Sequence, residues 1–60
     1  MKIIKILKRG PGINGHEKQL EFTDSPIHPY SIHSINDEGI KYWGEYYQSR
    51  TQAENAYKNR

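Results

Sequence analysis

Tyr30-Ser31-Ile32-His33-Ser34-Ile35-Asn36, then Asp37-Glu38-Gly39, then Ile40-Lys41-Tyr42-Trp43-Gly44-Glu45-Tyr46-Tyr47, then Ser49 to Arg60, read as strand, turn, strand and capped helix. The run from Ile40 to Tyr47 is dense in aromatic and β-branched side chains, which suit a pleated, partly buried surface. Strict alternation sends Ile40, Tyr42, Gly44 and Tyr46 to one side. Lys41, Trp43, Glu45 and Tyr47 then point to the other. In the preceding run, Tyr30, Ile32 and Ser34 share one side and Ser31, His33 and Ile35 the other. Asp37-Glu38-Gly39 offers glycine for a positive φ, so a three-residue hairpin is expected.

Beyond Tyr47 the period changes. Ser49 with Gln52, or Thr51 with Glu54, can form a capping box that satisfies free N–H groups at a helix start. Ala53, Ala56 and Tyr57 then make a narrow apolar stripe. Lys58 and Arg60 complement the dipole at the helix end. So short a helix is marginal alone, and its stripe must dock on the sheet.

Working outward, Lys2-Ile3-Ile4-Lys5-Ile6-Leu7-Lys8 fits helix and strand spacing about equally. Its β-branched isoleucines, and Gly10-Pro11-Gly12 close behind, favour a strand. Asn14-Gly15 is a strong hairpin signal. Gly10 to Gly15 also matches G-x-G-x-x-G, but a phosphate-cradling loop needs a helix after it. Here Lys18 to Thr23 alternates like a strand, with Leu20 and Phe22 on one face. Two prolines make Asp24 to Pro29 a loop.

The whole is expected as one small domain over residues 1–60 of α+β class (β-β-β-β-α). A small antiparallel sheet of three to four strands carries one C-terminal helix packed on one face. The strands fall at about 2–9, 17–23, 30–36 and 40–47, and the helix at about 50–59. The expected helix-side core is Ile4, Ile6, Leu20, Phe22, Ile32, Tyr42, Tyr46, Ala53, Ala56 and Tyr57. The expected open face shows Lys5, Glu21, His33, Ile35, Lys41, Trp43, Glu45 and Tyr47.

Sixty residues, of which 33% are hydrophobic, leave room for a thin core only. With no cysteine there are no disulfides and no thiolate metal site, and the composition fits the cytoplasm. A domain this small without staples often leans on a partner or on its own dimer. No apolar run approaches the ~20 residues that span a bilayer. Lysines interrupt the apolar pairs of residues 1–9, unlike a signal peptide.

The net charge of +2 is unevenly spread. Lys2, Lys5, Lys8 and Arg9 stand without an acid. The middle of the chain, with Glu17, Glu21, Asp24, Asp37 and Glu38 against Lys18, is acidic. Lys41, Arg50, Lys58 and Arg60 outnumber Glu45 and Glu54 at the other end. The two basic ends form a basic face only if they are neighbours in space.

Catalysis is not expected. No serine sits in a nucleophile-elbow context. A sheet this small also has little volume to enclose a substrate. His16, His28 and His33 lack the converging partners that a metal needs, so neither metal nor cofactor is expected. The open face carries the functional expectation. Trp43, Tyr47 and His33 could stack on bases while Lys5, Lys41 and Arg50 meet phosphates. The same aromatics equally suit a protein interface, including a homodimer, or a second small core.

Residues Ile35 to Tyr57 resemble the hairpin and helix of arm-type (AP2-like) DNA-binding domains of tyrosine recombinases. The shared pattern is an acidic-glycine turn, an aromatic strand ending at Tyr46-Tyr47, a Ser/Thr cap, and Ala53 and Ala56 before Tyr57. The resemblance implies a sheet lying on DNA with a helix bracing its back. Glu45 and the segment Gln48 to Gln52 depart from that family's more basic pattern. The general style also resembles accessory proteins of bacteriophages and mobile elements.

Overall fold

A computed structural model of the chain describes residues 2–59. Four antiparallel strands, β1 (Ile3–Pro11), β2 (Glu17–Thr23), β3 (Tyr30–Ile35) and β4 (Lys41–Tyr47), form one sheet in the order β1-β2-β3-β4. Helix α1 (Arg50–Lys58) follows. The α+β meander anticipated from the sequence is therefore the fold.

The turns explain why neighbours pair. Asn14 (φ 55°) and Gly15 (φ 75°) take left-handed backbone, the region that asparagine and glycine tolerate best. This lets the Gly12 N–H reach the His16 carbonyl at 2.7 Å. At the β3–β4 turn Asn36 does two jobs. Its side-chain oxygen accepts the N–H groups of Glu38 (2.9 Å) and Ile40 (3.0 Å). Its main-chain carbonyl accepts from Gly39, whose φ is 81°. The proline-containing loop closes where the Thr23 N–H donates to the Pro29 carbonyl at 2.7 Å.

Of the two candidate caps the helix uses Ser49, whose Oγ accepts the Gln52 N–H at 3.2 Å. Its Ala53 is fully buried against Leu20 and Ile32. Leu7, Tyr30, Tyr47, Ala56 and Tyr57 pack around these three. Directly opposed residues share a face, so the cross-strand rows define the two sides. Leu20–Ile32–Glu45, Phe22–Tyr30–Tyr47 and Lys18–Ser34–Trp43 lie on the helix side. Glu21–Ser31–Tyr46, Gln19–His33–Gly44 and Glu17–Ile35–Lys41 lie on the open side.

These rows overturn the expected facing of β4. Ser34 pairs with Trp43, but Ile35 pairs with Lys41, so Tyr42 is one residue too many. Such a bulge flips the phase of the strand beyond it. Lys41 stays on the open face as expected. Trp43, Glu45 and Tyr47 do not: they belong to the helix side, and Gly44 and Tyr46 take the open side.

The first strand is corrected in the same way. Its register slips between Ile3 and Lys5 and again between Ile6 and Lys8, leaving Ile4 and Leu7 as extra residues. Lys5 therefore aligns with Phe22 on the helix side, and Ile6 with Glu21 on the open side, each the reverse of expectation. Ile4, Ile6, Tyr42 and Tyr46 are exposed and are not core residues. The two bulges also explain the ambiguous spacing of Lys2 to Lys8. An apolar-apolar-lysine triplet fits a strand that gains a residue every third position.

Candidate binding surfaces

The open face is built around one carboxylate. Glu21 is fully buried although no helix covers it. Its Oε1 accepts from Ser31 Oγ at 2.8 Å and from His33 Nδ1 at 2.9 Å. Its Oε2 accepts from Gln19 Nε2 and from Lys41 Nζ, each at 2.5 Å. Burial alone would push this carboxyl upward. The hydrogen bonds from Lys41, Ser31 and Gln19, with the charge of His33, outweigh burial and hold its pKa below the ordinary glutamate value.

The alternation of β2 makes this cluster possible: Gln19 and Glu21 share a face, and β3 presents Ser31 and His33 to the same face. Gly44 lies directly opposite His33. A Cβ there would stand 2.7 Å from His33 Nε2, so only glycine leaves room for the ring. Tyr46 then meets the same imidazole edge-on, with ring centroids 5.8 Å apart. Further along, Arg9 donates to both oxygens of Glu17, at 2.8 and 3.2 Å. Hydrogen bonding and the charge of Arg9 lower the Glu17 pKa. Among the described residues the strand cations of this face, Arg9 and Lys41, are thus committed to carboxylates. Arg9 and Glu17 also border a polar hollow of about 450 Å³ below the β3–β4 turn. Among the described residues no group of three or more His, Asp or Glu side chains is placed to hold a metal ion.

The helix side differs in sign. Lys8 Nζ lies 3.9 Å from Glu54 Oε2 and 6.0 Å from the centroid of the Tyr57 ring. The basic first strand and the basic last helix are therefore neighbours. Lys18 Nζ donates to the Tyr57 carbonyl at 2.6 Å and stands 4.3 Å from the ring centroid, where the ring and the helix end both favour a cation. Gly10 gives the Tyr57 hydroxyl its space, since a Cβ there would lie 3.3 Å from it. Burial raises the pKa of that hydroxyl. Arg50 Nε reaches Glu54 Oε2 at 3.2 Å. Lys5, Lys8, Lys18, Arg50 and Lys58 thus outnumber Glu45 and Glu54 on this side. On the open side Arg9 and Lys41 face Glu17 and Glu21, and Asp37 and Glu38 border the same hollow as Arg9, so this side is not basic.

The six residues singled out from sequence do not form one surface. His33 and Lys41 sit on the open face and are tied to Glu21. Lys5, Trp43, Tyr47 and Arg50 lie on the helix side. There Trp43 is 36% exposed, and the Tyr47 hydroxyl donates to the Glu45 carboxylate. Sequence reasoning missed Lys18 and Tyr57 as part of the basic seam. The lysine at every third position from Lys2 to Lys8 was the available sign, because only a bulged strand keeps Lys5 and Lys8 on one side.

Compared with known proteins, the chain matches no family model, no curated protein and no solved structure. Among the described residues no helix is long and apolar enough to cross a membrane.

Proposed function

We propose that this is a small non-catalytic protein that binds nucleic acid along the seam between β1 and α1. The observation carrying the proposal is the closeness of Lys8 to Glu54 and Tyr57, which joins two basic segments from opposite ends of the chain. Lys5, Lys8, Arg50 and Lys58 present positive charge along the seam, and the partly exposed Tyr57 ring lies beside them. Cations flanking an aromatic ring suit a phosphate backbone with a base stacked alongside. This departs from the arm-type arrangement, in which the open sheet face meets DNA. Here that face has no excess of cations, whereas on the helix side Lys8 and Arg50 share the single carboxylate of Glu54 and cations remain in excess.

The test is anisotropy of a labelled oligonucleotide, single-stranded and duplex, across a salt series. Binding should weaken steeply with salt. Lys5→Gln and Lys8→Gln should each lower the salt slope by about 0.7 to 0.9 for every phosphate that is no longer neutralised. Arg9→Gln, on the other face, should leave affinity unchanged. No anisotropy change at low salt for either oligonucleotide would end this reading.

A further inference from the structure

We infer that the open face of the sheet pairs with the same face of a second copy of the chain, across a two-fold axis parallel to the strands and between β2 and β3. The row Ile6–Glu21–Ser31–Tyr46 crosses the whole sheet. Its apolar ends are each 49% exposed, while Glu21 and Ser31 between them are fully buried. Turning a second sheet about that axis sets Ile6 of each copy over Tyr46 of the other, and Glu21 over Ser31. Arg9 then lies over Gly44, and Lys41 arrives over Pro11, beside Glu17 of the other copy. Within these paired rows no carboxylate lies over a carboxylate, and Lys41 gains an acid across the interface.

The matching of the rows points to a second copy, and three further observations favour an interface on this face. The polar centre is already closed: Glu21 has four donors and Gln19 is 3% exposed, so covering it strips little water. The Tyr46 ring is held edge-on by His33, an anchor ordered before association. The molecule's two larger extents, 31 and 22 Å, set an upper limit of roughly 700 Å² on this face, the size of a modest, concentration-dependent interface. Edge-to-edge pairing is disfavoured, because β1 carries two bulges and β4 one. The inference concerns the side away from the basic seam and stands whether or not that seam binds nucleic acid.

The chain has no cysteine, so engineered thiols report cleanly. A mixture of Ile6→Cys and Tyr46→Cys chains should give the mixed dimer with a short bifunctional thiol cross-linker, because face-to-face sheets hold opposed Cα atoms about 10 Å apart, beyond the reach of a direct disulfide. Either variant alone should cross-link at least tenfold less, because like positions lie about 17 Å apart, offset by three strand gaps across the ~10 Å between the sheets. Sedimentation equilibrium of the unaltered chain should show a concentration-dependent dimer. Tyr46→Glu should weaken it roughly thirtyfold or more, with the circular dichroism of the fold retained. Ile6→Glu, on the exposed first strand, should do the same and serves if Tyr46→Glu does not fold. A monomer at the highest attainable concentration overturns the inference, as does self-cross-linking of Ile6→Cys at the yield of the mixture.

Discussion

The two faces of this sheet solve one problem with opposite chemistry. On the helix side the centre is apolar: Leu20, Ile32 and Ala53 are sealed completely. On the other side a carboxylate occupies the centre, and Gln19, Ser31, His33 and Lys41 close over it. An apolar centre is stable whatever its exact partners, provided that volume is filled. A charged centre is stable only while all its donors are in place. By this contrast the helix side tolerates repacking, while the open side demands one register.

Emptying each centre in turn tests the contrast between the two faces most directly. Glu21→Ala, which strands four donors, should cost about 3–5 kcal/mol in urea denaturation. Leu20→Ala should cost about 2–5 kcal/mol through cavity formation. If Glu21→Ala proves nearly neutral, the open face is a solvated surface and the contrast disappears. Acid distinguishes the two centres as well. The folded pKa of Glu21 lies below its unfolded value, so its contribution is fully present above the ordinary glutamate value of about 4.3. It is lost as pH falls through the lower folded value. Glu21→Gln should flatten this part of a stability-versus-pH curve, whereas Leu20→Ala should leave its shape unchanged.

Gly44→Ala tests the packing of the charged side. The new methyl group collides with His33 and should cost about 1–3 kcal/mol. In a His33→Ala background the same change should cost far less, a non-additivity that a double-mutant cycle measures. The smallest effect falls on the helix. Ser49→Ala removes the cap from Gln52 and should cost about 1 kcal/mol. It should loosen the apolar side alone, leaving cross-linking through the open face intact.

How much of this is legible in the sequence depends on whether local chemistry or strand phase decides the outcome. Asn14-Gly15, Gly39, the prolines before Tyr30 and the Ser49 cap act locally, and they mark the element boundaries correctly. Leu20, Ile32 and Ala53 are legible as core because β2, β3 and α1 keep a regular period. Bulges are different. Tyr42, Ile4 and Leu7 carry no residue type that announces an extra position, and each reverses the facing of the residues beyond it. Strict alternation therefore puts Trp43 and Tyr47 on the wrong face and places Ile6 and Tyr46 in the core. The Glu21 cluster is equally hidden, because its donors come from three strands whose alignment no local pattern specifies.

The uninterrupted β1-β2-β3-β4 order has a consequence for how the chain acquires its shape. Each strand finds its partner next door in sequence, so no distant loop closure limits the rate of assembly. Hairpins can zip one after another as the chain lengthens. The closing helix, too short to stand alone, has its docking platform only once β2 and β3 bring Leu20 and Ile32 together.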